Sequence, residues 1–298
     1  MIREKLRVYW SFLRPQTSLS TVLAGLGGAI FACRESECLV FESLLAVLGV
    51  SIAHLSVNAI NDIQDHLSGL DRETSRTPYS GGTKLLVESK LSLAEAILLA
   101  IATFVIAASI GLYFSLLYGL TIFLFVVIGA LIIILYDPYL LRVGLGELGV
   151  FAKGVLVFLG CAYIASRELY LPAIPIGAIY GLLSVASLYV NQIPDAEADA
   201  KYGRRTLPVI LGDRVWVGYA AILVFLAVSL ASSIILKLLS PLILVPVSLI
   251  AFYALRVLMS LTRERRNISS KTLRDNSLFC RLFLVSLTLL IAVNPAGY

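Results

Sequence analysis

Charge is what this sequence has least of. Only 14% of its 298 residues are Asp, Glu, Lys or Arg, where a soluble domain carries roughly a quarter. That shortage excludes a solvated globular surface. A hydrophobic share of 59% and a mean hydropathy of +0.90 point instead to an integral membrane protein. Cysteine and histidine are scarce too, at four and two. No C-x-x-C pair or His/Cys ligand spacing occurs, which excludes a metal centre built from soft ligands. Cys33 and Cys38 flank a short loop, but spacing alone does not establish a bridge, so free thiols are expected there and at Cys161 and Cys280. His54 and His66 have no ligand partner in the sequence and are read as structural. Polar/apolar alternation is missing from the apolar runs, which argues against a transmembrane barrel. Soluble domains, low-complexity tracts and long linkers are missing as well, leaving one polytopic unit over residues 1–298.

The apolar runs are what the sequence does have. Taking about 20 residues as one crossing, nine spans are expected, near 16–33, 42–62, 91–111, 114–135, 147–165, 171–194, 215–236, 240–259 and 277–294. Leu91 to Leu135 is almost continuously apolar, and its length forces a turn, best placed in Gly111 to Gly119. Ahead of Pro15, the segment MIREKLRVYWSFL puts Leu6, Trp10 and Leu13 on one helical face and predicts an interfacial helix. It lacks the short apolar core and cleavage site of a signal peptide and is expected to stay on the protein. Of the loop cations, only Arg34, Arg167 and Lys237 fall on one side of this topology. The others, from Arg3 to Arg274, lie on the side of the N-terminus. The positive-inside rule then places the N-terminus in the cytoplasm and the C-terminus outside the cell membrane.

Two polar stretches interrupt this pattern at the cytoplasmic ends of apolar runs: NAINDIQDHLSGLD (Asn58 to Asp71) and NQIPDAEADAKYGRR (Asn191 to Arg205). Carboxylates at that depth need a cation, water or a partner. Positions four apart share a helical face, so Asn191, Asp195 and Asp199 form one stripe. Asn61 and Asp65 form the matching pair, overlapped by Asn58, Asp62 and Asp65. Hard oxygen ligands favour Mg²⁺ or Ca²⁺ over zinc. Two such helices facing each other would hold a diphosphate, with Arg72, Lys201, Arg204 and Arg205 adding charge-assisted contacts. The competing reading is that these residues are helix caps on a solvated loop. The same N-x-x-x-D step in both stretches weighs against it.

N-D-x-x-D-x-x-x-G-x-D (Asn61 to Asp71) and N-x-x-x-D-x-x-x-D (Asn191 to Asp199) resemble the paired signatures of the UbiA superfamily of intramembrane prenyltransferases. The resemblance extends to Arg14-Pro15, to S-G-G-T (Ser80 to Thr83), to G-L-G-E (Gly144 to Glu147) and to Y-G-R-R-T-L-P-V-I-L-G (Tyr202 to Gly212). The Gly-Gly loop, G-L-G-E and the G-R-R-T-L tail are similar to the 1,4-dihydroxy-2-naphthoate branch, which serves menaquinone synthesis. One departure is the third acid of the first motif, which stands at Asp71, while the position four after Asp65 is Gly69. The resemblance implies nine helices around a central cavity open to lipid, capped on the cytoplasmic side by the loops after the second and sixth helices.

It also implies a chemistry. Two Mg²⁺ ions, held by Asn61, Asp62, Asp65, Asn191, Asp195 and Asp199, would neutralise a leaving diphosphate so that the allylic bond ionises. Tyr136 and Tyr139 occupy the place where the family often has a Tyr followed by a basic residue. They could stabilise the allylic cation, or serve only as interface aromatics. Asp71 and Glu147 are candidates for the acceptor's proton, Glu147 having the alternative role of a helix N-terminal acid. The acceptor's carboxylate is expected at the positive inner face. The partners expected are a prenyl diphosphate, an aromatic acceptor and the bilayer, with no nucleic acid. Prenylation of 4-hydroxybenzoate or of an ether-lipid precursor is the alternative activity. A transporter is the alternative class, since intramembrane acids also mark ion pathways.

Overall fold

The computed structural model describes residues 2–34, 38–74, 76–77 and 79–293. Ser75 and Pro78 of the segment leading to S-G-G-T, and the last residue of the ninth expected span, lie outside the described residues. An amphipathic helix, α1 (Ile2–Leu13), leaves Leu6 and Trp10 exposed and buries Phe12 completely against Ala59, Leu85, Leu86 and Leu91. It is tied to α5 (Leu93–Tyr118) through Glu95, which accepts from Lys5 Nζ at 3.0 Å and Tyr9 Oη at 2.9 Å. Glu95 also closes a capping box with Ser92 at the start of α5, so one carboxylate both starts the helix and anchors the N-terminus.

Among the described residues, eight helical stretches are long and apolar enough to cross a membrane. They are α3 (Val40–Ser68), α5, α6 (Leu120–Leu135) with its continuation, α8 (Gly146–Ser166), α9 (Ile174–Gln192), α12 (Val215–Ile235), α13 (Leu244–Glu264) and α14 (Ser270–Val293). The remaining expected span, the first (16–33), is α2 (Leu19–Ala32), only 14 residues long but entered through a 3-10 turn at Pro15–Ser18. Several helices run past the apolar limits used to predict them. α3 continues to Ser68, and α5 reaches Tyr118 before Gly119 (φ 77) breaks the chain. Gly111, the other candidate for that break, instead lies inside α5 where a Cβ would come within 2.9 Å of Val126.

α9 is the central helix. Ile176, Ile179, Tyr180, Leu183, Ala186, Tyr189 and Val190 are buried all round it, packed against residues of α8, α12 and α14. Close approach depends on glycine: a Cβ on Gly28 would lie 2.1 Å from the Phe158 carbonyl oxygen, and one on Gly154 2.4 Å from Gly181 Cα. Small residues let membrane helices pack backbone to backbone. Gly28→Val should therefore separate α2 from α8 and abolish the monodisperse peak in detergent size-exclusion chromatography; an unchanged elution profile would mean this packing is dispensable.

At one end of the bundle the chain carries the acidic motifs and three short helices, α4 (Leu70–Glu73), α10 (Ala196–Lys201) and α11 (Leu207–Leu211). A π-helical turn at Tyr136–Leu140 leads from α6 into α7 (Leu141–Val143) at the same end. At the opposite end Cys33 and Cys38 form a disulfide, with Cα atoms 4.8 Å apart. This corrects the expectation of free thiols: the turn after α2 and the start of α3 bring two nearby cysteines face to face, which spacing alone does not reveal. Cys161 and Cys280 are free and buried.

Candidate active site

Two cavities adjoin at the acidic end, and Asn61, Tyr136 and Leu188 line both. The larger, about 390 Å³, is an apolar chamber lined from α2, α3, α5, α6, α8 and α9. The smaller, about 140 Å³, is polar and lies among Asn61, Asp65, Gly81, Gly82, Gln192, Asp195, Asp199 and Arg204.

Asn61 and Asp65 stand one turn apart on α3 and both line the smaller cavity. The second motif is built differently from the expected stripe. Pro194 has no N–H to continue the α9 ladder, so the helix stops at Gln192. The chain then turns, with Asp195 N donating to Gln192 O at 3.2 Å, and restarts as α10 at Ala196. Asn191 therefore lines the chamber, while Asp195 and Asp199 line the polar cavity with Asp65.

Arg204 ties the acids together. Its guanidinium donates to Asp65, to Asp137 (Nε to Oδ1, 2.8 Å) and to Asp199 (Nη1 to Oδ1, 3.2 Å). Asp137 was missed in the sequence, although an acid closing an apolar run is the same signal that marks the two motifs. Three carboxylates hold the Arg204 proton more tightly than usual, against the opposing effect of burial. Asp195 has no such cation in contact; it accepts from the Gly81 amide, and burial together with neighbouring Asp199 pushes its carboxyl up to about 6. Asp199 is also raised, chiefly by burial, with Arg204 pulling the other way.

Other expected site residues lie behind this cavity or outside it. Asp62 is buried, and its carboxylate is taken by Arg14 Nη2 at 2.6 Å, Thr83 Oγ1 at 2.6 Å and Thr83 N at 3.2 Å. Asp71 receives Lys84 Nζ at 3.1 Å, and burial raises its carboxyl while Lys84 opposes. The S-G-G-T loop thus lies between the motifs, Gly81 on Asp195 and Thr83 on Asp62. Gly82 (φ 67) fits there because a Cβ would come within 3.1 Å of Asp71 Oδ1. Glu147 is buried away from both cavities; its Oε1 accepts from Leu207 N at 2.7 Å, capping the start of α11. Tyr139 is exposed on the surface, and Arg72, Lys201 and Arg205 are exposed on the cap. Lys201 there pairs with Glu73 at 2.8 Å.

The polar cavity suits a hard cation. Its side-chain donors, Arg204 apart, are carboxylates, amides and two hydroxyls, with neither Cys nor His, and Gln192 Oε1 is buried on its wall without a hydrogen-bond partner. Among the described residues no three of Asp, Glu, His and Cys converge closely enough to hold an ion unaided. Mg²⁺ needs only one or two carboxylates when water and phosphate oxygens complete its shell.

A hydrocarbon-lined chamber leading into a carboxylate-rich cavity suited to a hard cation, inside a bundle of membrane-length helices, defines a multi-pass membrane protein with a two-part site. Residues 15–291 match the UbiA prenyltransferase family, and the chain belongs to that family: it is a membrane prenyltransferase. Among relatives, it is 32% identical over 230 residues to a 1,4-dihydroxy-2-naphthoate octaprenyltransferase of Haemophilus influenzae, covering 71% of each chain. It is 27% identical over 292 residues to a digeranylgeranylglyceryl phosphate synthase of Thermococcus gammatolerans, covering 94% of this chain and 97% of the other. The fold matches that of a UbiA homologue from Archaeoglobus fulgidus bound to GPP and Mg²⁺, with a TM-score of 0.66 at 20% identity over 96% of this chain and 99% of that one. The transporter alternative gives way to this family membership.

Proposed function

We propose that the protein transfers an isoprenyl group from a prenyl diphosphate to 1,4-dihydroxy-2-naphthoate, with Mg²⁺ in the polar cavity. The observation that carries this is the junction of the two cavities at Asn61 and Tyr136. A diphosphate head among the acids and a polyprenyl tail in the chamber would place the allylic carbon there. Asn61 with Asp65, and Asp195 with Asp199, give two oxygen-ligand pairs, one for each of two ions. Mg²⁺ held by these pairs would supply charge neutralisation for a departing diphosphate. Arg204 adds donors to the same oxygens, and Tyr136 presents its ring where positive charge develops on the allyl group. Asp62 and Asp71 act one layer back, fixing Arg14, Thr83 and Lys84 around the cavity. The naphthoate acceptor is supported by the G-L-G-E and G-R-R-T-L segments and by the 32% identity to a naphthoate prenyltransferase.

The orientation proposed is acidic end and N-terminus in the cytoplasm, C-terminus outside. The basic loops support it, and so does the disulfide at the far end of α3, since disulfides persist in oxidising compartments. The test of the donor site is Mg²⁺-dependent diphosphate release by purified protein in detergent, where no gradient exists; release that chelator leaves unchanged would overturn it.

A pH dependence follows. Asp195, held protonated up to about 6, must lose its proton to bind a cation, so Mg²⁺ affinity should fall about tenfold per pH unit below 6 and level off above 7. The same raised value means that stability present below pH 4 is lost as pH rises through about 6 in the metal-free protein. Mg²⁺ titrations at pH 5 and 7.5 check the first statement, and an affinity equal at both would refute it.

A further inference from the structure

One group in the chamber has no task in the donor chemistry above. Lys153, on α8, is the only Asp, Glu, Lys or Arg among the described residues that line it. Its Nζ lies 3.4 Å from Thr21 Oγ1 on α2, and that hydroxyl shares a 2.8 Å hydrogen bond with His54 Nδ1 on α3. Three helices thus converge on one polar seat in the mostly apolar wall of the chamber. No carboxylate acts on Lys153 among the described residues. An ammonium at membrane depth is costly without a counter-charge, and such groups are retained where a ligand supplies one. The prenyl tail offers only hydrocarbon, and the diphosphate has Arg204 and the acidic cavity. A third chemical entity with an anionic oxygen would supply that counter-charge.

We propose that Lys153, oriented by Thr21 and His54, is the subsite for the carboxylate of an aromatic acid acceptor inside the chamber. The subsite rests on the naphthoate reading above and refines it. The acceptor's carboxylate then sits in the apolar chamber, where low polarity strengthens its attraction to an ammonium. The positive inner face, where the sequence alone put that carboxylate, is not used. The rings lie along the hydrocarbon walls that lead to Asn61 and Tyr136. Lys153 acts as a positioning and specificity residue, not as an acid or base.

The test is equilibrium binding of 2-naphthoate and of neutral 2-naphthol to the detergent-solubilised full-length protein. Lys153→Met should weaken 2-naphthoate at least about tenfold while leaving 2-naphthol within about twofold, and Lys153→Arg should restore most of the difference. Thr21→Val, which keeps the ammonium, should weaken 2-naphthoate about threefold and serves if Lys153→Met does not fold. Equal loss of both ligands in Lys153→Met, or unchanged 2-naphthoate binding, would overturn the subsite. So would loss of phosphatidylglycerol binding with 2-naphthoate binding intact, which would assign the seat to a lipid headgroup. Failure of the function reading shows separately, as a wild-type protein that binds 2-naphthoate through Lys153 yet makes no prenylated dihydroxynaphthoate.

Discussion

Asp195→Ala should lower kcat/KM for prenyl transfer by about 10³-fold or more. Removing an anionic ligand from the diphosphate-bearing cavity forfeits several kcal/mol of charge stabilisation in the transition state, and about 4 kcal/mol corresponds to a factor of 10³. The same substitution should leave the thermal midpoint of the metal-free protein unchanged or higher. Asp195 is half-buried with no cation in contact among the described residues, and desolvation raises its carboxyl, so alanine relieves a penalty and breaks no ion pair. This split between activity and stability separates a ligand from a structural acid. Asp62→Ala should behave oppositely, lowering the midpoint because Arg14 and Thr83 lose their shared partner. Near-normal turnover in Asp195→Ala would sink the metal assignment.

Arg204→Met should be damaging on both counts. The guanidinium is one cation against Asp65, Asp137 and Asp199, which come from α3, the turn after α6, and α10. Removing it leaves three carboxylates facing one another with no counter-charge. Breaking a buried pair by deleting one partner costs about 3–5 kcal/mol, and the lower figure applies here because the acids border a cavity. On the proposed reading the prenyl diphosphate also loses a charge-assisted donor, so the midpoint and donor affinity should fall together. Arg205→Ala, at the next residue of the same tail but exposed, should leave the midpoint unchanged. Thermal unfolding of the two variants with and without Mg²⁺ checks this. If Arg204→Met melts like the native protein, the three-acid knot contributes nothing to the fold.

Much of this architecture is legible from local pattern. Apolar runs of membrane length mark the crossings because lipid tolerates little else, and the Asn61/Asp65 pair needs only helical spacing to share a face. The features that escaped local reading depend on distant partners or on a break in regularity. Asp62 reads as a ligand until Arg14, 48 positions earlier, is seen to hold it. The Asn191–Asp195–Asp199 stripe fails because Pro194 ends α9 between the first two members. Asp137 and Lys153 look like stray charges in apolar runs. Only the packing of α6, α8 and α10 against α2, α3 and α9 shows that one completes a cluster around Arg204 and the other faces a chamber. The disulfide was hidden for a similar reason, since Cys33 after α2 and Cys38 before α3 meet only once the two helices are packed.

The most direct test of the account is product formation by the purified protein. The enzyme, with Mg²⁺ and a series of prenyl diphosphates, is offered 1,4-dihydroxy-2-naphthoate, 4-hydroxybenzoate and a geranylgeranylglyceryl phosphate in parallel, and products are read by mass spectrometry. The account predicts prenylated product from the naphthoate, stoichiometric with released diphosphate and abolished by chelation. Efficient prenylation of 4-hydroxybenzoate or of the glycerol phosphate, with none of the naphthoate, would contradict the acceptor assignment. Transfer indifferent to Mg²⁺ would contradict the reading of the acidic cavity itself.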